Sequence, residues 1–218
     1  MLEHVLRRAL AVPGVAAVVL ATSVNERDAP LAELAWRLGC GVIRGSEHDV
    51  LGRFAAAQQA LRVERVMRIT GDCPLLCVDV CEATLRAALE SGYDFVTNDT
   101  DQSGYPDGTD CEVITAWALA QADRYATTAS DREHVTRWIR RHVPSRVAMA
   151  PEGSRCPLAW KWSVDDGADL ARVRRIFGAL RGSGGYTLGS AADACRRVEQ
   201  EDSHAYTDHR GDGLHARA

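Results

Sequence analysis

The chain has 218 residues, 46% of them hydrophobic and 26% charged, and a formal net charge of −4. That composition supports a packed core and argues against wholesale disorder. The acidic balance argues against a nucleic-acid binder working by bulk charge. No apolar run reaches the ~18 residues of a membrane span. Met1-Leu2-Glu3-His4-Val5 shows no basic stretch leading into an apolar core, so no signal peptide is read and a cytoplasmic protein is expected.

Glu3 to Ala11 reads as a helix stopped by Pro13-Gly14. Val15 to Thr22 is a continuous apolar run, the mark of a strand covered on both faces. Pro30 to Leu38 is a second helix: proline suits its first turn, Leu31, Leu34, Ala35 and Leu38 form one stripe, and Gly39 ends it. Gly41 to Arg44 is a short strand, Val50 to Leu61 a helix, and Arg65 to Thr70 a strand. Asp79 to Glu90 is a helix stopped at Ser91-Gly92, and Asp94 to Thr97 another strand. Alternating strands and helices at this spacing predict right-handed crossovers and an α/β fold with a mostly parallel, doubly wound sheet.

After Asn98 the pattern loosens. Asp99 to Asp110 is a polar loop, Cys111 to Ile114 a strand and Ala116 to Tyr125 a helix. Ser130 with Glu133 three residues on reads as a capping box that opens a helix to about His142. Trp160 to Val164 alternates like a strand, and Ala168 to Leu180 is a long helix. One domain is thus expected over 1–180. Residues 181–218 follow as a C-terminal segment, with a helix over Ala191 to Glu201 and a frayed tail from Asp202.

Seven cysteines in a chain this long are expected to be free, buried thiols in a reducing compartment. Cys73, Cys77 and Cys81 are spaced by four, which is not zinc-ligand spacing.

Ligands of open α/β sheets bind beyond the carboxyl ends of the strands. Those ends carry Thr22-Ser23-Val24-Asn25, then Arg44-Gly45-Ser46 with Asp49, then Gly71-Asp72-Cys73-Pro74, then Asp165-Asp166. Asp72 sits on a tight Gly-Asp-x-Pro turn, where a carboxylate suits a hard cation, and equally a turn cap. Asp165 ends a strand just before a helix, as a second cation ligand or a plain N-cap. Arg44 is the better anion contact; Arg68, flanked by apolar residues, suits a salt bridge. His134 reads as a surface histidine near a helix start. There is no GxGxxG, GxxxxGK[ST] or GxSxG motif.

Taken together, Arg44-Gly45-Ser46-Glu47-His48-Asp49-Val50-Leu51-Gly52-Arg53 and Arg68-Ile69-Thr70-Gly71-Asp72-Cys73-Pro74-Leu75 resemble the spore-coat polysaccharide biosynthesis cytidylyltransferase-like proteins, relatives of the CMP-sugar synthetases for sialic acid and 3-deoxy-manno-octulosonate. Ala21-Thr22-Ser23 with Asn25 and Asp28, Tyr105 to Val113, Ser130 to Thr136, and Trp162-Ser163-Val164-Asp165 with Asp169-Leu170 match the same pattern in order. The resemblance implies a GT-A-like nucleotidyltransferase fold and the transfer of CMP from CTP to a sugar or sugar acid, releasing pyrophosphate. It implies Asp72 and Asp165 as catalytic carboxylates holding Mg2+. Thr22, Ser23, Arg44, Gly45, Ser46 and Gly71 would bind the nucleotide; Tyr105, Asp110, Glu112, Glu133 and His134 would bind the sugar substrate. A homodimer is left open.

The family opens with a strand and a basic Gly-rich loop that cradles the triphosphate, whereas Met1 to Val5 match the helix after it. An N-terminally truncated fold, with weak CTP binding and poor turnover, is therefore expected. Asp107 and Thr109 stand where the family often has Arg and Leu, which leaves the sugar open. Two alternatives remain: an inactive nucleotide-sugar-binding homologue or partner subunit, and a GT-A-type glycosyltransferase using Asp99-Thr100-Asp101.

Overall fold

The computed structural model describes residues 1–180 and 187–211. In chain order the elements are α1 (Leu2–Leu10), β1 (Val19–Ser23), α2 (Ala29–Arg37), β2 (Gly41–Gly45), α3 (Val50–Leu61), β3 (Arg65–Arg68), α4 (Val78–Ser91) and β4 (Phe95–Thr97). The second half runs β5 (Glu112–Thr115), α5 (Ala116–Tyr125), α6 (Ala129–Glu133), α7 (Arg137–His142), β6 (Ser145–Val147), α8 (Gly167–Leu180) and α9 (Leu188–Gly211).

Strands β1 and β2 pair in parallel as a two-stranded sheet; β3, β5, β4 and β6 form a second sheet in that order. Within it β5 runs opposite to both neighbours, while β4 and β6 are parallel. Hence β3, β4 and β6 share one direction and β5 alone is reversed. Side-chain alternation along β4 and β5 sorts the core into two layers. The paired residues Phe95 and Ile114 face Leu51, Leu119 and Ile139 from α3, α5 and α7. Their neighbours Val96 and Val113 face Leu76, Cys81 and Ala88 on the side of α4. Helices therefore cover both faces, and each fully buried Phe, Ile or Leu contributes on the order of 2 kcal/mol.

Local sequence explains the element ends. Asp49 caps α3 by accepting from the Gly52 amide; Pro30 lies in the first turn of α2; Gly92, at φ 70°, ends α4.

Several expectations need correction. The apolar run from Val15 becomes a strand only at Val19, where β2 offers Gly41 as a partner, and Ala16 and Ala17 upstream are exposed. Trp160–Val164 is not a strand. It makes one isolated parallel bridge, Asp107 to Lys161, and gives its amides to loops instead. Its alternation is real but serves the cluster beneath α8 and α9, where Trp160 and Trp162 stack with ring centroids 5.7 Å apart. The cap before α6 is Thr128, not Ser130: Thr128 accepts from the Asp131 amide and its hydroxyl donates back to the Asp131 carboxylate at 2.8 Å. The expected single helix breaks between α6 and α7. β6 was not foreseen. Asp202 to Gly211 continues α9 rather than fraying, and the end of the expected tail, 212–218, lies outside the described residues.

Candidate active site

At the carboxyl end of β1, Ser23 and Thr22 are buried and both hydroxyls donate to Asp28, at 2.6 and 3.2 Å. The Ser23 bond in particular holds the Asp28 carboxyl below its usual range. Arg44, read as an anion contact, spends its guanidinium on main-chain carbonyls: Nε donates to Ser23 at 2.9 Å and Nη2 to Asn25 at 2.8 Å. Asn25 donates to Glu47 at 2.6 Å, and Arg53 reaches the carbonyls of Ser46 and Glu47. Gly45 lets Arg53 pass: a Cβ there would lie 3.0 Å from Arg53 Cγ. Thr22, Ser23, Arg44, Gly45 and Ser46 thus do converge, as one hydrogen-bonded double loop.

Arg132 on α6 ties this loop to the second half. Its guanidinium donates to both Asp49 oxygens at 2.8 Å and to the Asp123 carboxylate on α5 at 2.9 Å. The Asp49 carboxyl is held below its ordinary range by Arg132 first and by the Gly52 amide. Gly52 is needed here, since a Cβ would sit 2.5 Å from Asp49 Oδ2.

At the centre, Glu112 is 1% exposed and receives Arg68 and Arg140, each at 2.6 Å, plus the Thr136 hydroxyl at 3.2 Å. Arg68 and Glu112 are register partners across β3 and β5. Thr136 is aimed at Glu112 by an abrupt turn. Its amide donates to the His134 carbonyl at 2.5 Å across Val135, which is fully buried at φ 51°. A γ-turn with positive φ on a β-branched residue stores strain, on the order of 1–3 kcal/mol, and such strain persists where the surroundings over-determine it. The same turn leaves His134 and Glu133 exposed.

The third cluster joins the β3 end to the segment before α8. The Val164 amide donates to the Asp72 carbonyl at 3.0 Å, and the Trp162 amide to the Asp107 carbonyl at 2.8 Å. The Ser163 hydroxyl donates to the Asp107 carboxylate at 2.7 Å. Asp72, half-buried in the turn that exposed Gly71 opens, and Val164, the residue before Asp165, are therefore hydrogen-bonded neighbours. Asp110 lies close by: burial, reinforced by the charge of Asp99, pushes its carboxyl up to about 7. Tyr105 is buried, with its hydroxyl 3.4 Å from the Met149 carbonyl.

Asp72 and Asp165 fit a hard divalent cation in kind, being carboxylates on adjoining loops. Magnesium takes one or two carboxylates and completes its shell with water and substrate phosphates. Among the described residues no group of three or more His, Cys, Asp or Glu is placed to hold a metal ion, so substrate oxygens would have to supply the rest. Asp99 of the Asp99-Thr100-Asp101 string is bound by Arg140 at 2.6 Å instead.

Residues 1–155 match the family model described as cytidylyltransferase. The chain belongs to the cytidylyltransferase family. Among curated members, the spore coat polysaccharide biosynthesis protein SpsF of Bacillus subtilis is 30% identical over 164 residues, covering 73% of this chain and 66% of that protein. An uncharacterised protein of Methanocaldococcus jannaschii is 34% identical over 122 residues, 56% of this chain and 49% of the relative. The matched part thus spans half to two thirds of these relatives. A cytidylyltransferase from Leptospira borgpetersenii superposes with a TM-score of 0.78 at 20% identity, over 93% of this chain and 84% of that one. A CMP:2-keto-3-deoxy-manno-octonic acid synthetase complexed with CTP gives 0.59 at 14% identity, over 81% and 87%. These two share the α/β nucleotidyltransferase fold.

Within this family member the motif residues fall into three hydrogen-bonded clusters. Arg132, Asp107, Arg140 and Lys161 build the joints between them. Arg132 and Asp107 sit inside the Ser130–Thr136 and Tyr105–Val113 motifs, which are the signals that point to them; Arg140 and Lys161 find partners that only the fold reveals.

Proposed function

We propose that this member of the cytidylyltransferase family transfers CMP from CTP to a sugar hydroxyl and releases pyrophosphate, in polysaccharide or glycoconjugate synthesis. The reading is supported most directly by the Val164–Asp72 hydrogen bond, which joins the two Asp-bearing loops in a chain of this family. The sugar oxygen attacks the α-phosphorus, the bond from that phosphorus to the bridging oxygen breaks, pyrophosphate leaves, and the hydroxyl proton passes to solvent or a nearby base. Little covalent work falls to the protein, so positioning and charge carry catalysis.

In this reading Asp72 and Asp165 hold Mg2+, which when bound would neutralise charge on the departing pyrophosphate. The double loop of Thr22, Ser23, Arg44, Gly45 and Ser46, with Gly71, borders the nucleotide. Tyr105, Asp110, Glu133 and His134 border the sugar. Glu112 acts one step back, fixing Arg68, Arg140 and Thr136.

The test is pyrophosphate release from each of the four nucleoside triphosphates, with Mg2+ and a panel of neutral, amino and acidic sugars. Turnover with CTP, lowered about 100-fold or more in Asp72→Asn and Asp165→Asn, is expected. Turnover with another nucleotide alone, or undiminished turnover in both variants, would count against the assignment.

A further inference from the structure

We propose that Lys161 is a competing cation built into the candidate metal site: its ammonium occupies Asp165 in the cation-free chain, and a divalent ion must displace it. This rests on the reading of Asp72 and Asp165 as cation ligands and adds to it a positioning residue.

Lys161 Nζ lies 2.6 Å from Asp165 Oδ2 and 2.5 Å from Asp169 Oδ2. The two carboxylates differ in kind. Asp169 is buried in the first turn of α8. It also accepts the Asp165 amide at 3.1 Å and faces Arg172 at 3.4 Å, so it is fixed. The Asp165 side chain is 63% exposed. Asp169 is thus the anchor and Asp165 the exchangeable partner. An ammonium is a compact point charge with three donors, able to hold one carboxylate while releasing another. Asp165 is exposed and Lys161 half-buried, so breaking their pair costs little while Asp169 keeps the ammonium.

The consequence lies in what stays behind. Once Asp165 turns to a divalent ion, Asp169 still keeps the ammonium within a few ångströms. A positive charge at that range weakens the affinity of the free chain for the ion by about tenfold. A triphosphate, carrying several negative charges, offsets both cations at once. The ion is therefore held weakly by the free protein and enters together with the nucleotide.

The probe is Mn2+, titrated into the whole chain without nucleotide and followed by the loss of the free-ion paramagnetic resonance signal. Lys161→Met is expected to bind Mn2+ about tenfold tighter than the native chain, and Lys161→Arg within about twofold of it, because the charge is kept. Adding Asp165→Asn to Lys161→Met should erase the gain. If Lys161→Met fails to give a folded far-ultraviolet dichroism spectrum, Lys161→Gln, which keeps a donor for Asp169, replaces it. If Lys161→Met binds Mn2+ no tighter while Asp72→Asn and Asp165→Asn weaken binding, the proposal fails and the metal assignment stands. If Mn2+ binding ignores Asp72→Asn and Asp165→Asn, the assignment fails and the proposal with it.

Discussion

The Ser163 hydroxyl donates to the Asp107 carboxylate at 2.7 Å, and Gly108 lies directly beneath that contact. A Cβ on Gly108 would sit 2.4 Å from the Ser163 nitrogen and 2.5 Å from the Trp162 carbonyl carbon, at φ +90°. Backbone cannot yield as a side-chain tip can. Gly108→Ala should therefore push the Asp107 loop off the segment that carries Asp165. The expected cost is about 2–4 kcal/mol in urea unfolding. Gly153, at φ +82° with nothing within 4 Å, is the control: its alanine variant meets backbone strain alone, ~1 kcal/mol. Equal costs at the two positions would show that contact plays no part.

Glu112→Gln removes the charge that Arg68 and Arg140 share in the core. Glu112 is buried but Arg68 and Arg140 are only half-buried, and Arg140 keeps Asp99, so the loss should fall below the about 3–5 kcal/mol of a fully buried pair and above the about 0–1 of an exposed one. The Glu3–Arg7 pair on α1 is exposed at both ends. Glu3→Gln should thus be nearly silent in the denaturation experiment that finds Glu112→Gln destabilised. Comparable midpoints for the two variants would contradict the placement of Glu112.

How far the sequence foretells this structure depends on whether the deciding contact is local. Val50–Leu61 is legible to the residue because what starts it is local: Asp49, the residue just before it, accepts from the Gly52 amide. Trp160–Val164 misleads because alternation reports which residues are buried, not what buries them, and here α8 and α9 do so in place of a strand. β6 is missed because Ser145 and Arg146 are exposed and leave no apolar pattern. The chemistry-bearing types at the strand ends are readable. Their occupation is not: Arg44 is free on paper and bound to two carbonyls in the fold.

Asp110 makes stability depend on pH in a defined direction. Its folded-state value of about 7 stands above the ordinary 3.8. Between those values the folded chain keeps a proton that the unfolded chain has released, so the stability from this group falls as pH rises through the window. Asp110→Asn removes the penalty. Its melting temperature should match the native one near pH 4 and exceed it at pH 8, by a margin equivalent to about 1–3 kcal/mol. Parallel melting curves across that range would refute the shift.

All seven cysteines are free, and every one but Cys156 is buried. Burial raises the thiols of Cys73 and Cys77, and the contact with Cys81, followed by burial, raises that of Cys111, which lowers their thiolate fraction. A maleimide reagent should label Cys156 first under native conditions, and the other six on the timescale of unfolding. Rapid native labelling at Cys73, beside Asp72, would show that its turn opens freely.

Among the described residues β1 and β2 exchange strand pairing with each other and not with the four-stranded sheet. Their own small cluster, Leu6, Ala35 and Cys40 with half-buried Leu20 and Val42, is packed by side chains. Separating that unit from the rest requires no backbone ladder to be torn, so it can open as a cooperative piece below the free energy of global unfolding. Thr22, Ser23, Arg44, Gly45 and Ser46 all belong to it or its loop. The proposed nucleotide border therefore sits on a unit held to the rest by side chains, Arg132 among them, and whatever occupies it shifts the local opening equilibrium of that unit.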